Sequence, residues 1–424
     1  MAEETNGISR RDFMKTTAVA AGATLLSSQS AHAQAKKSFK VGLIGCGGRG
    51  GGAIRDSIAA CKELGLTAEV VGLADAYPDR MERVRVGLEK QGHKIPKERC
   101  FVGFDAYRKL IDTDIEVVLL ATPPNFRPVH FKACVDAGKH VFFEKPVGVD
   151  PAGCRKIIES GDVAKKKGLG VVAGTIWRHH GPYIGTQKAV ADGLIGKIVA
   201  GRIYYCTGRL WYKDRQPQWN DAEYMVRNWV SFCEMSGDHI VEQHVHTIDI
   251  ANWFMGGPPV AAVAMGGRAR RKTGDQFDFF SVDYEYPGGI HVQSMSRQIN
   301  GCYRKGGQTF VGEMGETNGC GRAKDWAGKK LEIAKVKTHK SPFVQEHMDL
   351  LDGILKGNPL NEARQIAESS LTAVMGRISA YTGQRVTWDE MMKSDLALSP
   401  TPEDFEKGTV KAPPEDVVPI PGKA

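Results

Sequence analysis

Phe39-Lys40-Val41-Gly42-Leu43-Ile44-Gly45-Cys46-Gly47-Gly48-Arg49-Gly50 is the stretch that decides the fold. Its first six residues form a short apolar run of strand length. Glycine then recurs in the spacing G-x-G-x-x-G, and an Ala- and Ile-containing segment to about Leu64 reads as a helix. A strand that turns tightly into a helix N-terminus leaves backbone N–H groups facing a pyrophosphate. Gly45, Gly47, Gly48, Arg49 and Gly50 are therefore candidate cofactor-binding residues. A second apolar run, Val70-Val71-Gly72-Leu73-Ala74, ends in Asp75, 28 residues after Gly47. An acid at the end of a second strand accepts hydrogen bonds from both ribose hydroxyls and repels a 2′-phosphate, which favours NAD over NADP.

The alternation continues outward from this unit. Glu116 to Ala121 reads as a strand, Thr122-Pro123-Pro124-Asn125 as a loop, and His130 to Ala137 as a helix closed by Gly138. Lys139 to Phe143 is a further strand, ending in Glu144-Lys145-Pro146. Strands alternating with helices imply an α/β fold with a doubly wound parallel sheet. Ligands of such sheets sit beyond the carboxyl ends of the strands, so Asp75, Thr122 and Lys145 should gather at one edge.

Gly45 to Gly50, Ala121-Thr122-Pro123-Pro124, Ala137-Gly138-Lys139-His140-Val141 and Glu144-Lys145-Pro146, in this order, resemble the Gfo/Idh/MocA oxidoreductases. The resemblance runs from about Ser38 to Trp388. It implies an N-terminal Rossmann domain, here residues 38–150, and a C-terminal α/β domain on an open, mostly antiparallel sheet, here 151–397. The cofactor would lie between them, with the substrate over the nicotinamide. Thr122, Pro123, Pro124, Asn125, Glu144 and Lys145 join the cofactor candidates on this basis. Glu144-Lys145-Pro146 matches the family's E-K-P motif, whose lysine is catalytic. The resemblance also implies a homo-oligomer formed through the sheet face.

A second feature lies in Asp238-His239-Ile240-Val241-Glu242-Gln243-His244-Val245-His246-Thr247-Ile248-Asp249-Ile250-Ala251-Asn252-Trp253-Phe254-Met255. On one continuous helix with Glu242 at zero, His246 falls near about +40° and Asp249 near about −20°. Apolar residues cover much of the rest, so the helix should be buried. A buried stripe of carboxylates and imidazoles needs partners or a ligand. His246 and Asp249 match the family's H-x-x-D, and Glu242 stands where the family usually has Asp. Lys145, His246, Glu242 and Asp249 are the catalytic candidates, with His246 as general acid/base. Read as a strand instead, Glu242, His244 and His246 would form E-x-H-x-H and could bind metal. The helical reading, which predicts no metal, puts His244 about 160° from His246.

Val171-Val172-Ala173-Gly174 reads as the strand entering the second domain. Arg178, His179 and Tyr183, which follow it, and Trp229 are candidate substrate-binding residues, with His246. Trp211, Tyr212, Trp219, Trp229 and Trp253 cluster in sequence and could stack on sugar rings or simply pack. Arg209, Lys213, Arg215 and Arg227 flank them as donors to hydroxyls or a carboxylate. Alternation from Val260 to Gln308, with a turn at Pro287-Gly288-Gly289, supports an antiparallel sheet. Residues 342–355 and 361–381 read as helices, and the Pro-rich segment 398–424 as an extended tail.

The remaining features bound the function. The net charge of +8 is spread among 49 acidic residues, and no basic stripe with interleaved aromatics is present, which argues against nucleic acid. Nine scattered cysteines without a C-x-x-C pair indicate neither a disulfide framework nor a zinc ribbon. Ser9-Arg10-Arg11-Asp12-Phe13-Met14-Lys15, a modest apolar run and Ala31-His32-Ala33 resemble a twin-arginine (Tat) signal over residues 1–33, too short to stay as a membrane span. The chain is thus expected in the periplasm, delivered folded by the Tat machinery with NAD bound. Three functions stay open: an oxidoreductase of a small carbohydrate or polyol, a glycosidase that oxidises and re-reduces its substrate, and a non-catalytic sugar-binding protein.

Overall fold

The computed structural model describes residues 37–423. The export signal and its expected cleavage after Ala33 lie outside the described residues.

β1 (Ser38–Ile44), β2 (Thr67–Asp75), β3 (Cys100–Val102), β4 (Val117–Leu120), β5 (His140–Phe143) and β6 (Val171–Ala173) form a parallel sheet in the order β3-β2-β1-β4-β5-β6. The register sets Leu43 beside Leu119, Leu119 beside Phe142 and Phe142 beside Val172. β4 and β6 are apolar throughout, and β1 and β2 become so toward their carboxyl halves, because helices cover both faces there. α1 (Gly48–Glu63) and α2 (Pro78–Glu89) follow β1 and β2, α3 (Arg127–Asp136) follows β4, and α4 (Pro151–Lys166) follows β5. The strand order reverses between β1 and β4, the switch point where such sheets bind ligands.

The entry strand expected at Val171–Gly174 is a correction. β6 pairs with β5 inside the parallel sheet, and all three of its residues are fully buried. Both α4 and β6 therefore belong to the first domain, and the expected break at residue 150 moves past residue 173. An all-apolar tripeptide fits the edge of either sheet, so only pairing decides.

The second sheet holds nine strands in the order β14-β13-β12-β11-β7-β10-β9-β8-β15, its outer strands being β12 (Gly315–Thr317), β13 (Ala323–Asp325), β14 (Lys330–Leu331) and β15 (Val386–Thr387). Its centre is β7 (Ile198–Thr207), β8 (Ala261–Gly267), β9 (Phe279–Tyr286), β10 (Ile290–Gln298) and β11 (Lys305–Gly312). β7 and β10 run parallel, and the other pairings are antiparallel. Phe280, Val282, Tyr284 and Tyr286 of β9 point inward while the residues between them face out, the alternation of a half-buried strand.

α5 (Asp221–Arg227), α6 (His239–Glu242) and α7 (Val245–Met255) lie between β7 and β8. α8 (Pro342–Leu355) and α9 (Ala363–Thr382) match the helices expected there. Val344, Leu350 and Leu351 of α8 share one core with Phe39, Leu43 and Ile54, so a helix from the second half of the chain closes the parallel sheet. α9, rich in Ala and Ser, is buried along most of its length.

Two further expectations are corrected. The segment from 238 to 255 is not one helix: α6 ends at Glu242, Gln243 and His244 form a turn, and α7 restarts at Val245. Three adjacent polar side chains find partners on three sides there, namely Lys145, Tyr205 and Ser294, which one helical face could not supply. The Pro-rich segment is not simply extended either. It carries α10 (Pro402–Lys407), opened by a capping box between Thr401 and Asp404. Phe405 is buried against Phe104 and Phe126, with ring centroids 5.3 and 5.0 Å away.

Candidate active site

The carboxyl ends of β1, β2, β4 and β5 open into a cavity of about 790 Å³. Gly45, Gly47, Gly48, Arg49, Asp75, Thr122, Pro123, Glu144 and Lys145 line it from the first domain. Glu242, Gln243, His246 and Trp229 line it from the second.

Gly45 has a left-handed φ of 94°, and a Cβ there would lie 2.7 Å from the Ala121 carbonyl carbon. A Cβ on Gly50 would lie 1.8 Å from the Gly45 carbonyl oxygen. These two positions require glycine so that strand and helix can approach. Gly47 and Gly48 differ, because a Cβ on either would meet nothing within 4 Å. The space at the first turn of α1 is thus open to a ligand, and the helix N-terminus directs its N–H groups and dipole there. This cradle fits a dinucleotide diphosphate.

Arg49 reaches from that turn to the end of β5. Its Nε donates to Glu144 Oε1 at 2.6 Å and its Nη2 to Asp56 Oδ2 at 2.6 Å. Asp75 accepts the Cys46 N–H on Oδ2 at 2.6 Å and the Tyr77 N–H on Oδ1 at 2.9 Å. Burial raises its carboxyl above the ordinary range, while the two N–H groups hold it down. The Thr122 hydroxyl lies 3.4 Å from His130 Nδ1, and burial pushes that imidazole down to about 3, so it is neutral near pH 7.

At the other end, Lys145 Nζ donates to the Glu242 carbonyl oxygen at 2.5 Å and stands 3.4 Å from Glu242 Oε1. Glu242 Oε2 accepts Gln243 Nε2 at 2.6 Å, and Gln243 Oε1 accepts the Tyr205 hydroxyl at 3.0 Å. His246 sits on the first turn of α7, its ring 5.4 Å from Trp177 and 6.5 Å from Tyr205. Burial first, then the Lys145 charge, hold its pKa well below the usual imidazole value. His246 is therefore neutral at pH 7.

Several candidates lie outside this cavity. Asp249 is drawn away by Arg178, whose Nε and Nη2 reach its two carboxylate oxygens at 2.8 and 2.9 Å, and Ser369 donates to it at 2.8 Å. The break before α7 dissolves the stripe that a continuous helix would have made. His179 is buried between Asp349 and Glu362; burial lowers its pKa, and these carboxylates outweigh that and raise it to about 10. Tyr183 stacks on Trp177 with centroids 5.4 Å apart. Pro124 and Asn125 are buried beside the loop, Asn125 donating to the Glu234 and Pro400 carbonyls. Gly50 packs and does not line. His244 spends both ring nitrogens, on Ser294 at 2.6 Å and Thr247 at 2.7 Å, so E-x-H-x-H does not converge.

Other lining residues escaped the sequence reading. Arg127 lines the cavity, bonded to the Pro146 carbonyl, and burial lowers its guanidinium to about 10. Arg80 and Arg83 of α2 line the side near Asp75. An arginine early in the helix after β2 was the available signal for them. Phe343 also lines the cavity, under the Arg49 guanidinium at 4.9 Å, and no local pattern brings residue 343 to residue 49.

Comparison with known proteins follows the same division. Residues 39–174 match the model of the GFO/IDH/MocA oxidoreductase family with its NAD-binding Rossmann fold, and 183–316 match the GFO/IDH/MocA C-terminal domain. Residues 7–27 match the twin-arginine translocation signal, which marks the chain for export to the periplasm. An inositol 2-dehydrogenase/D-chiro-inositol 3-dehydrogenase of Lactiplantibacillus plantarum is 26% identical over 51% of this chain and 52% of its own length. A glycosyl hydrolase family 109 protein of Streptomyces coelicolor is 29% identical over 39% of this chain and 34% of its own. The chain spans about half the length of the first curated relatives it matches. A levoglucosan dehydrogenase solved with NADH and levoglucosan superposes with a TM-score of 0.63 at 17% identity, covering 83% of this chain and 99% of that one, a likeness of fold. No helix among the described residues is long and apolar enough to cross a membrane.

Proposed function

The chain belongs to the Gfo/Idh/MocA oxidoreductase family, and from that premise we propose an exported enzyme that exchanges hydride between a nicotinamide dinucleotide and a carbon-bound hydroxyl of a sugar, polyol or sugar derivative. The observation that carries this reading is the meeting of Lys145 and His246 in one cavity with the glycine turn of α1. The cofactor, when bound, supplies the hydride acceptor. His246, neutral and held between two aromatic rings, takes the hydroxyl proton. Lys145, fixed by the Glu242 carbonyl and carboxylate, orients the substrate oxygen and stabilises negative charge as it develops. Glu242, fastened by Gln243 and Tyr205, positions Lys145. Thr122, Pro123, Glu144 and Arg49 form the wall beside the nicotinamide half. Arg178, His179, Tyr183 and Asp249 stand behind the site and support it.

Asp75 at the end of β2 supports NAD as the dinucleotide. Export as a folded protein supports retention of that cofactor, since the periplasm supplies no pool to rebind. The outer face of the second sheet exposes Val263, Met265, Phe279 and Met295 on neighbouring strands, which supports a homo-oligomer through that face.

A second reading, a redox-neutral glycosidase, uses the same groups: the sugar is oxidised, the aglycone eliminated, water added and the ketone reduced again. The similarity to a family 109 glycosyl hydrolase favours keeping it. One experiment separates the two. Purified protein is given sugars, polyols and nitrophenyl glycosides without added NAD. Turnover that requires a donor–acceptor pair supports the first reading. Aglycone release without net NADH, with solvent exchange of the sugar C2 hydrogen, supports the second. Sustained turnover only with added free NAD refutes the retained cofactor.

A further inference from the structure

We propose that residues 208–220, the connection from β7 to α5, are part of the dinucleotide site: Trp211 and Lys213 close its adenosine end, and the Arg227–Asp79 pair holds them there. This rests on the reading of the protein as a cofactor-retaining oxidoreductase.

The segment begins in the second sheet, yet Trp211 and Lys213 line the same cavity as Asp75 and Arg80. Asp75 marks where the adenosine ribose of a Rossmann ligand arrives. Burial first, and then the charges of Arg80 and Arg227, hold the Lys213 ammonium below the usual lysine range, and it lines the cavity together with Arg80 and Arg83. Both side chains suit what must pass there. An indole offers a flat face to adenine, and an ammonium offers a cation to phosphate oxygens. Trp211 is 48% exposed, an apolar area that a bound adenosine would cover.

The connection is tied down at several points. The Arg209 N–H donates to Asn300 Oδ1 at 3.0 Å, and the Lys213 N–H donates to Asn228 Oδ1 at 2.9 Å. The Trp211 ring meets Trp229 edge-on at 6.2 Å. At the end of α5, Arg227 donates to both Asp79 oxygens, at 2.8 and 2.9 Å, and to Glu223 Oε1 at 2.7 Å. Its guanidinium also lies over the Tyr77 ring at 4.6 Å and the Trp219 ring at 5.5 Å. Asp79 opens α2 of the first domain, while Arg227 belongs to the second. A planar bidentate pair therefore joins the two domains next to Arg80 and Val226, which line the cavity at its Asp75 end. A dinucleotide could leave past this end only after the pair and the segment release together.

The test measures cofactor release. Wild type, Trp211→Ala, Lys213→Ala, Arg227→Ala and the charge swap Asp79→Arg/Arg227→Asp are purified, and circular dichroism is matched to confirm folding. Bound nucleotide is counted after dialysis, and NADH release is followed by its fluorescence on dilution into excess NAD. The expected result is release about tenfold faster or more in Arg227→Ala and Lys213→Ala, as for loss of about 1.4 kcal/mol, with partial recovery in the swap. NADH should also quench tryptophan emission less in Trp211→Ala. A wild type that retains nucleotide alongside variants that retain it equally well would overturn the strap and leave the proposed function standing. If wild type itself exchanges freely, the retained-cofactor reading fails. The contact is then judged by equilibrium titration: unchanged NADH affinity in Trp211→Ala and Lys213→Ala overturns it.

Discussion

Asp249→Ala decides whether Asp249 is part of the chemistry or of the framework. Its carboxylate accepts two hydrogen bonds from Arg178, at 2.8 and 2.9 Å, and one from Ser369 at 2.8 Å, with the residue 2% exposed. Removing the carboxylate leaves the Arg178 guanidinium in a largely buried site with three neutral partners, the Asp249 carbonyl at 3.4 Å, Gln365 Oε1 at 3.3 Å and the Trp253 ring at 5.0 Å. Breaking a buried pair in this way costs about 3–5 kcal/mol. An unfolding entropy of about 2.1 cal/mol/K per residue over roughly 390 residues gives about 0.8 kcal/mol/K, so Tm should fall by about 4–6 K. His246 lies three residues away on the same helix, and its ring position should survive, so kcat should change by less than about tenfold. The double variant Arg178→Met/Asp249→Leu removes both charges and should recover most of the lost stability. Thermal melts and turnover are measured on the same preparations. A Tm unchanged to within about 1 K together with a kcat loss of about 10²–10⁴ would refute the structural role and restore Asp249 to the catalytic centre.

Three further outcomes are expected. His246→Asn should lower kcat/KM by about 10²–10⁴ while nucleotide content stays at the wild-type level; full activity would exclude His246 as the base. Gly50→Ala places a methyl against the Gly45 carbonyl and should yield protein with little bound nucleotide or poor folding, whereas normal cofactor content would show that the turn can shift. Acid should destabilise the fold from about pH 6.5 downward. Burial holds His130 and His244 at about 3 and His246 and His347 well below the usual value, so the unfolded chain binds protons there that the folded chain does not. Each such histidine contributes up to about 1.4 kcal/mol per pH unit. His179 acts in the opposite sense, since its pKa is raised to about 10: its contribution is full below about 6.5 and is lost as pH rises through 10. Urea midpoints at pH 7.5, 5.5 and 10 check both limbs, and equal midpoints at 7.5 and 5.5 would contradict the burial argument.

The cofactor half of the site was legible because each part is a local pattern. The glycine turn, the acid ending β2 and the lysine ending β5 each follow a strand, and strand ends of one parallel sheet share an edge. The second domain was less legible. The stripe from Glu242 to Asp249 exists only on an unbroken helix, and the turn at Gln243-His244 invalidates the angles beyond it. The resemblance puts Arg178, His179 and Tyr183 in the pocket, but each finds a partner that only the packed chain supplies: Asp249, the Asp349–Glu362 pair, and Trp177.

By itself the sequence determined the parallel α/β domain, the sheet edge at which Asp75, Thr122 and Lys145 gather, and the twin-arginine signal. The domain and its edge follow from short-range periodicity and from the glycine turn, where a Cβ on Gly50 would collide with the Gly45 carbonyl oxygen, and the signal follows from a contiguous motif. Only the tertiary structure decided which polar residues reach the cavity and which neutralise one another behind it. It also placed α8 on the first domain's sheet, α10 against Phe126 and Lys213 in the cavity that Arg80 lines. A buried charge or an apolar face takes whichever partner the whole fold brings within reach, and that partner can lie 71 residues away, as Asp249 does from Arg178, or across the domain boundary, as Asp79 does from Arg227.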